Sequence, residues 1–312
     1  MKKYLLHFTI LLLVVVMTSC MFTGVENTGK ITDKEVTRVI NELEQRQPSS
    51  TLTAFVDSLS AWKRGKQFYA TDDQLRLLFE RSSQYDLDTI HFAGKFLSFD
   101  RYETVTSISG KPTVCLHFSD GINTFTYHTN KTMHDLPVPL SIPLLVDMDV
   151  VKHVADQLTG RQAYVKTPIW YDAKTEAMKK GRQYIPVKII AVKPGNKVLP
   201  LRVEFQTNDQ PEEIAFVWMS APGAVMHNRD FDSVFSLANP KNGYPGISDT
   251  HWNLIINSEV CEDMTKEECR LALGAPKRIS PVPDQAGMRE YWYYDGGSYL
   301  YFVDGLLKKF RR

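Results

Sequence analysis

The sequence predicts an α+β protein in which two tandem, small β-rich modules with helical insertions precede a C-terminal layer of two helices and three strands. Three observations support this prediction. Short runs of alternating apolar and polar residues, separated by Gly-centred turns, are typical of small sheets. A faint internal repeat relates residues 64–128 to residues 159–218. The last part of the chain, residues 249–312, contains capped helix patterns followed by Asp-Gly hairpin signals.

The composition is that of a folded protein with several cores. The length of 312 residues exceeds that of one ordinary small domain. Of these residues, 43% are hydrophobic and 23% are charged. The net charge is +1, and basic and acidic residues are mixed along the chain. Nucleic-acid binding needs a concentrated basic surface, so we expect no nucleic-acid partner.

The N-terminus reads "MKKYLLHFTILLLVVVMTSC" and combines two lysines with an apolar run that ends at Met17. The run is shorter than the roughly 20 apolar residues of a spanning helix and fits the apolar region of a signal peptide. Small Thr18 and Ser19 precede Cys20, which resembles the lipobox of bacterial lipoproteins with Met17 where Leu is most common. The resemblance implies a signal peptide over 1–19 and diacylglycerol on Cys20. An ordinary secretory signal is the alternative.

Lipidation would attach the protein to a membrane through its N-terminus, since two or more acyl chains anchor a protein stably. "MFTGVE" after Cys20 contains no Asp next to the Cys and no acidic cluster. In families that use such signals, this implies neither inner-membrane retention nor surface export. We therefore expect a lipid-anchored protein of the cell envelope, at the outer membrane and facing the periplasm.

The next segments are a tether and the two β modules. Residues 20–31 show no periodicity and are predicted to be flexible. A capping box of Thr32 and Glu35 opens a helix predicted over Asp33–Gln47, and this helix with the first β module makes up residues 32–135. A second helix pattern begins at Thr71. The second β module spans 136–248 and contains the pattern "DVVKHVADQLTG".

The internal repeat is visible in three pairs of segments. "RGKQFYATD" at 64–72 resembles "TGRQAYVKT" at 159–167, and the two later pairs, which begin at residues 94 and 110, match segments that begin at 181 and 195. The offsets are 95, 87 and 85 residues, a drift that loop insertions would produce. The units resemble the small five-stranded barrels of bacterial Src-homology type, an analogy of fold alone.

The stretch "CEDMTKEECRLALGAPKRI", residues 261–279, has the form of a well-delimited helix. Thr265 and Glu268 form a capping box, Gly274 allows a left-handed exit and Pro276 prevents continuation. A short helix over 249–259 precedes it. Three strands follow, "MREYWYY", "SYLYFV" and "LLKKF".

This C-terminal segment resembles the SmpA/OmlA (BamE-like) lipoprotein domain. The resemblance rests on "MTKEECRLALGAP", then W-x-Y in "YWYY", L-x-F in "YLYF" and "DGLL", and covers residues 249–312. Asp263 stands where the family usually has Gly. The resemblance implies a two-helix, three-strand domain that binds protein partners at the outer membrane, and it carries no catalytic residue.

Alternation divides the aromatic side chains of the last strands into two sets. Trp292, Tyr294, Leu300 and Phe302 should point into the helices. The opposite face should present a candidate partner-binding set of tyrosines: Tyr291, Tyr293, Tyr299 and Tyr301. Tyrosine is enriched where partners bind, but the preceding β module could equally pack on this face and bury it.

Four cysteines leave one close pair, Cys261 and Cys269, as a candidate disulfide. A bridge would suit an exported protein, whereas buried cysteines often stay unpaired, so the spacing leaves both outcomes open. Cys115 and His117 share a strand face, but residues two apart are usually too distant for a nucleophile and its base.

Known catalytic and metal-binding patterns are missing from the sequence. There is no P-loop, G-x-G-x-x-G, G-x-S-x-G or H-E-x-x-H, and the spacing of His117, His128 and His134 fits no zinc site. Two D-x-D pairs, at 147–149 and 230–232, stand at predicted helix starts, where Asp caps. We expect no cofactor and no metal.

These observations favour a non-enzymatic cell-envelope lipoprotein that acts as a protein-binding or envelope-assembly module. The alternative is a periplasmic protein that binds cell-wall material or a small ligand through tandem β-barrel modules. An enzyme is the third interpretation. A broad exposed aromatic face would favour a protein partner, and a deep pocket would favour a ligand or chemistry.

Overall fold

The computed structural model of the protein describes residues 51–106, 110–224, 229–282 and 288–311. The predicted signal peptide, the tether with Cys20 and the helix predicted over Asp33–Gln47 lie outside these residues. In the described chain, helices accompany three antiparallel sheets, so the protein is of mixed α and β structure and strands dominate it.

The first sheet has five strands in the order β4-β3-β2-β1-β5. Its strands are β1 (Gln67–Ala70), β2 (Phe96–Thr106), β3 (Pro112–Ser119), β4 (Thr124–His128) and β5 (Leu145–Asp147). Its core is rich in phenylalanine, and Phe68, Phe118 and Phe125 are almost completely buried. Strands β4 and β5 lie at opposite edges, so strand pairing among the described residues does not close this sheet into the barrel that the sequence suggested.

The second sheet has seven strands in the order β12-β6-β9-β10-β11-β7-β8. They are β6 (Gln162–Val165), β7 (Ile169–Asp172), β8 (Met178–Lys180), β9 (Ile185–Pro194), β10 (Leu201–Thr207), β11 (Ile214–Met219) and β12 (Phe235–Ser236). The strands β6, β9 and β10 contribute Ala163, Val187 and Val203 to a separate core.

The two sheets share one topology. The order β4-β3-β2-β1-β5 corresponds strand by strand to β11-β10-β9-β6-β12, and the second sheet adds the hairpin β7–β8 beside β11. Both sheets also carry an irregularity at the same place, because Asp100 in β2 and Ile190 in β9 are left out of the register at matching positions. Such a bulge bends a strand and strengthens its twist. The correspondence agrees with the repeat seen in the sequence.

The strand registers correct two of the predicted offsets. Leu97 pairs with Phe68 and Val187 pairs with Ala163, which places β2 and β9 90 residues apart rather than 87. Phe118 and Phe205 occupy matching positions opposite Phe99 and Ile189, an offset of 87 rather than 85. The predicted offsets were measured between matching Gly and basic residues in the turns. The offsets in the structure are set by hydrogen bonding between strands. The two differ because the loops that join the strands differ in length.

The helix α1 (Met148–Leu158) follows β5 directly and packs on the second sheet. Val151, Val154 and Leu158 recur at helical spacing and are buried in the second core. Helix α2 (Phe231–Val234) is a single turn before β12. The helix predicted from Thr71 is not formed, because the structure has only a short 3-10 helix over Asp73–Leu77. Phe79 then forms a β-bridge with Tyr127 in β4.

The C-terminal part has helices α3 (Asp249–Ile256) and α4 (Lys266–Leu273) on one side of a third sheet. Its strands are β13 (Arg278–Val282), β14 (Arg289–Tyr293), β15 (Tyr299–Val303) and β16 (Leu306–Arg311). The sheet therefore has four strands and not the three that were predicted. Pro281 disfavours a strand prediction for β13. A proline is tolerated there because β13 is an edge strand.

Strand pairing crosses the position of the module boundary that was predicted at residue 135. Strand β5 pairs with β1, so the first sheet continues past the expected boundary at residue 135. Ser248 caps α3, and its side chain accepts from the His251 N–H. All three sheets belong to one compact unit that begins at residue 50.

Candidate functional site

One face of the third sheet is built from tyrosines. The predicted alternation is confirmed, because Trp292, Leu300 and Phe302 are buried against the helices. Tyr294 is half-buried on the same side, where its hydroxyl donates to the Gly274 carbonyl at 3.2 Å and desolvation raises its pKa to about 12. The other four side chains alternate with these and are half-buried: Tyr291, Tyr293, Tyr299 and Tyr301. We call this set the tyrosine face.

Tyr291 is the centre of the tyrosine face. The centroid of its ring lies 4.6 Å from that of Tyr301, 5.9 Å from that of Tyr299 and 6.1 Å from that of Tyr293. Aromatic pairs attract one another over such distances. None of the four tyrosines packs against any of the three hydrophobic cores of the described chain. The rings thus cover one another, and no described β module buries them.

Basic side chains border the tyrosine face. Strand register places Arg278 opposite Tyr293, and the same sheet places Lys309 opposite Tyr301. Arg311 is likewise the cross-strand neighbour of Tyr299. Residues directly opposite one another on neighbouring strands share a face of the sheet. The guanidinium carbon of Arg278 lies 4.2 Å from the centroid of the Tyr293 ring.

The border has no matching negative charge in the described part of the sheet. None of the three basic residues has a carboxylate within ion-pair distance among the described side chains. Glu290 lies on the helix side, where it pairs with Lys266 at 2.7 Å and accepts from the indole of Trp292 at 2.8 Å. Among the described residues, the tyrosine face therefore joins aromatic rings with basic side chains that no described carboxylate pairs.

The capping box of α4 is formed as predicted. The Thr265 hydroxyl accepts from the Glu268 backbone N–H at 3.2 Å, and a Glu268 carboxylate oxygen accepts from the Thr265 N–H at 2.7 Å. His251 of α3 lies 2.7 Å from the other oxygen. Burial would raise the pKa of Glu268, but these hydrogen bonds outweigh it and lower the pKa. The stretch 261–279 thus fixes the helix and joins it to α3.

The three cysteines of the described chain are free thiols, so the candidate bridge between Cys261 and Cys269 is not formed. Cys269 is buried, and desolvation raises its pKa to about 12. Cys261 is half-buried, and desolvation raises its pKa as well.

Cys115 has a histidine partner that the sequence did not reveal. Its Sγ lies 3.0 Å from Nδ1 of His128, whose Nε2 lies 3.0 Å from a Glu80 carboxylate oxygen. His128 stands directly opposite Cys115 on β4, whereas His117 turns to Glu103 at 3.0 Å. The register of the β3–β4 hairpin was the missing signal.

The arrangement has the order nucleophile, base and orienting carboxylate. The thiol is nonetheless inaccessible to solvent, because Cys115 has no exposed surface. Desolvation and the charges of Glu103 and Glu80 raise its pKa, and the thiolate rather than the thiol is the nucleophile. In this conformation the chain of hydrogen bonds joins β3, β4 and the segment at Glu80.

A buried lysine joins the first sheet to the start of helix α1. Lys66 is 9% exposed, and its Nζ lies within 3.1 Å of carboxylate oxygens of Asp57, Asp147 and Asp149. Burial disfavours its charge, but the hydrogen bonds to Asp149 and Asp147 outweigh this effect and raise the pKa of Lys66. Desolvation raises the pKa of Asp147.

The two D-x-D pairs also cap helices, as predicted. Asp147 accepts from the Asp149 N–H at the start of α1 at 2.8 Å, and Asp230 accepts from the Ser233 N–H in α2 at 2.9 Å. No group of three His, Cys, Asp or Glu side chains within the described ranges is placed to hold a metal ion. No helix in those ranges is long and apolar enough to cross a membrane.

A cleft of about 760 Å³ lies between the second sheet and the end of α4. One wall comes from the segment around β7 and β8, and the other from the end of α4. Its apolar walls and floor include Pro168, Ile169, Met178, Leu271, Leu273 and Tyr184. A second cavity of about 480 Å³ shares Lys179 and Lys180 with it and also contains Glu213 and Glu259.

The floor of the cleft is fixed by Gln183, a buried residue that sequence reasoning missed. Its Nε2 donates to the carbonyl oxygens of Leu271 and Ala272 at 2.9 Å each. The neighbouring Tyr184 packs on Trp252 of α3 with ring centroids 5.6 Å apart. Desolvation raises the pKa of Tyr184 to about 12. The loop before β9 therefore holds both C-terminal helices.

Comparisons with known proteins identified no relative of the chain. No family model matches the chain, and searches of curated proteins and of solved structures find no match.

Proposed function

We propose that the chain is a non-enzymatic cell-envelope lipoprotein, anchored through lipidated Cys20, which binds a protein partner through the tyrosine face. The proposal places it at the outer membrane on the periplasmic side. The lipobox-like end supports the anchor, and the likeness of residues 249–312 to SmpA/OmlA domains supports a role in binding or envelope assembly. The observation that carries the proposal is the tyrosine face itself.

The four rings of the tyrosine face remain half-exposed. Four tyrosines on one sheet face offer large, rigid contact area, and Tyr and Arg are enriched at interfaces. The border of Arg278, Lys309 and Arg311 has no described ion-pair partner, so it favours acidic groups on the partner. An envelope protein with an acidic patch around apolar side chains is therefore the partner chemistry that fits.

Site-specific crosslinking in intact cells tests this. A photoreactive residue in place of Lys309, in the full-length protein, should capture one partner, identified by mass spectrometry. Combining it with Tyr299→Ala and Tyr301→Ala should abolish capture while the melting temperature stays nearly unchanged. A matched crosslinker at Ile122, which is 91% exposed in the turn between β3 and β4, and the variant Tyr102→Ala, 39% exposed on β2, serve as controls.

A folded double variant that still captures the partner would contradict the proposal, and so would equal capture from Ile122. If the double tyrosine variant unfolds, Arg278→Glu with Lys309→Glu tests the same face. These charge reversals remove no packed ring, and they should weaken binding to an acidic partner and reduce its dependence on salt.

The alternative is a periplasmic protein that binds cell-wall material or a small ligand. One observation favours ligand binding, namely the apolar cleft of about 760 Å³. It lies between the second sheet and the C-terminal helices, and not within either β module.

A further inference from the structure

We propose that the cleft between the second sheet and helix α4 binds a single-chain anionic amphiphile, such as a fatty acid or another acyl-chain lipid with one negative head group. This site is separate from the tyrosine face and does not depend on the proposed protein partner. Three features of the cleft carry the inference: its apolar walls, its charge and its fixed floor.

The walls are apolar and face solvent. Met178 is 69% exposed and Ile169 is 44% exposed, and both stand on the wall formed by the second sheet. Leu271 and Leu273 face them from the end of α4. Grouped exposed apolar residues mark binding sites more often than isolated ones do. The volume of about 760 Å³ lies within the range of small-molecule sites, which favour the boundaries between structural units.

The charge of the cleft selects an anion. No carboxylate lines it, and its basic residues are Lys166, Lys179, Lys180 and Arg270. Lys179 is paired with Glu213 of the adjoining cavity at 3.1 Å, so the head group is assigned to the other basic residues. Lys180 is exposed, and no described carboxylate lies within ion-pair distance of it. Arg270 stacks over the Trp292 ring with its guanidinium carbon 4.7 Å from the centroid, and no described carboxylate pairs with it either. A pocket with charges of one sign attracts the opposite ion, so a negative head group should lie near Lys180 and Arg270.

The floor is fixed before a ligand arrives. Gln183 joins the loop before β9 to the last carbonyl groups of α4 by hydrogen bonds. Tyr184, in the same loop, packs on Trp252 of α3. Fixed walls lower the entropic cost of binding. A protein segment is a poorer fit, because the sheet edge that borders the cleft, β8, has three residues and offers a peptide strand few hydrogen bonds.

Photolabelling of the full-length protein, in a neutral glycoside detergent, tests the site. The probe is hexadecanoate with a mid-chain diazirine. The label should map to peptides that contain Ile169, Met178 or Leu271–Leu273. Excess hexadecanoate should suppress it, and equal excess hexadecyltrimethylammonium should not.

Two variants sharpen the test. Lys180→Glu with Arg270→Glu should lower labelling about tenfold, as loss and reversal of two head-group contacts predict. Lys63→Glu with Lys111→Glu makes the same change of net charge on exposed residues that precede strands β1 and β3, and it should leave labelling unchanged. Met178→Asp alters only an exposed wall residue and should abolish labelling while the far-ultraviolet circular dichroism stays that of the wild type.

Labelling spread evenly along the chain would overturn the proposal, as would equal competition by the cationic amphiphile. Full labelling of the Lys180 and Arg270 variant would do the same. A photoreactive residue at Met178 in intact cells gives the remaining outcome: an adduct with the mass of a polypeptide, rather than of a lipid, would assign the cleft to a protein segment.

Discussion

The side-chain nitrogen Nε2 of Gln183 lies 2.9 Å from the carbonyl oxygen of Ala272, in the last turn of helix α4. The same nitrogen is 2.9 Å from the carbonyl oxygens of Leu271 and Ile255, so one amide satisfies the ends of two helices. The last carbonyl groups of a helix have no partner within the helix and need one elsewhere. Gln183 thus joins the second sheet to the C-terminal layer and fixes the floor of the cleft.

Replacing Gln183 by Ala should destabilise the protein by about 1–3 kcal/mol, because it leaves the buried Ala272 carbonyl without its donor. Urea unfolding of the full-length protein, followed by circular dichroism, measures the loss. Gln210→Ala is the control, since Gln210 is exposed. Equal stabilities of the two variants would show that Gln183 does not hold the C-terminal layer.

Replacing Lys66 by Met should cost about 3–5 kcal/mol at pH 7, because three aspartates around the site lose their counter-charge. The exposed Lys63→Met is the control and should be near neutral. The deficit should shrink in acid, because desolvation raises the pKa of Asp147 and its carboxyl group is protonated before that of an exposed aspartate. Urea unfolding at pH 7 and pH 4 compares the two conditions. A deficit that grows in acid would contradict this.

The wild-type protein should also lose stability in alkali through Lys66. Its pKa is raised in the folded protein above the ordinary value of 10.5, so the stabilisation is fully present below that value and is lost as the pH rises through the folded pKa. The Lys66→Met variant lacks this group. Its stability should therefore fall less steeply than that of the wild type above pH 10.5, as measured by unfolding at closely spaced pH values.

Replacing Glu268 by Ala should cost about 1–3 kcal/mol, because the capping box and the contact with His251 are both lost. The neighbouring Glu267→Ala, an exposed residue of the same helical turn, should cost much less. The pKa of Glu268 is lowered by folding, so its stabilisation is present above the ordinary value of 4.5 and is lost as the pH falls through the folded pKa. A pH-independent difference between the variants would contradict the role given to the carboxylate.

Replacing Cys20 by Ala should release the protein from membranes without preventing export, because the acyl chains supply the attachment. Cell fractionation in high salt and labelling with radioactive palmitate measure both effects. Cys261→Ala is the matched control and should stay in the membrane fraction with its lipid label. A Cys20 variant that still sediments with membranes and keeps its label would refute the lipoprotein assignment.

Local rules in the sequence were sufficient for several elements. The capping box of Thr265 and Glu268, the buried face of α1 and the alternation around Trp292 all follow from periodicity and short-range hydrogen bonding. These features depend on residues within a few positions of one another, and so they are readable from the chain alone. The internal repeat was readable as well, although the loops between strands displaced two of its offsets.

Only the tertiary structure decided which distant residues meet. Gln183 reaches Ala272, and Cys115 reaches His128 through a hairpin register that the sequence does not state. Strand β13 forms despite Pro281 because its position at the edge leaves that residue without a required donor. The open tyrosine face and the apolar cleft likewise depend on how the three sheets pack. That packing is set by the sum of many weak contacts between segments far apart in the chain, and no local pattern encodes such a sum.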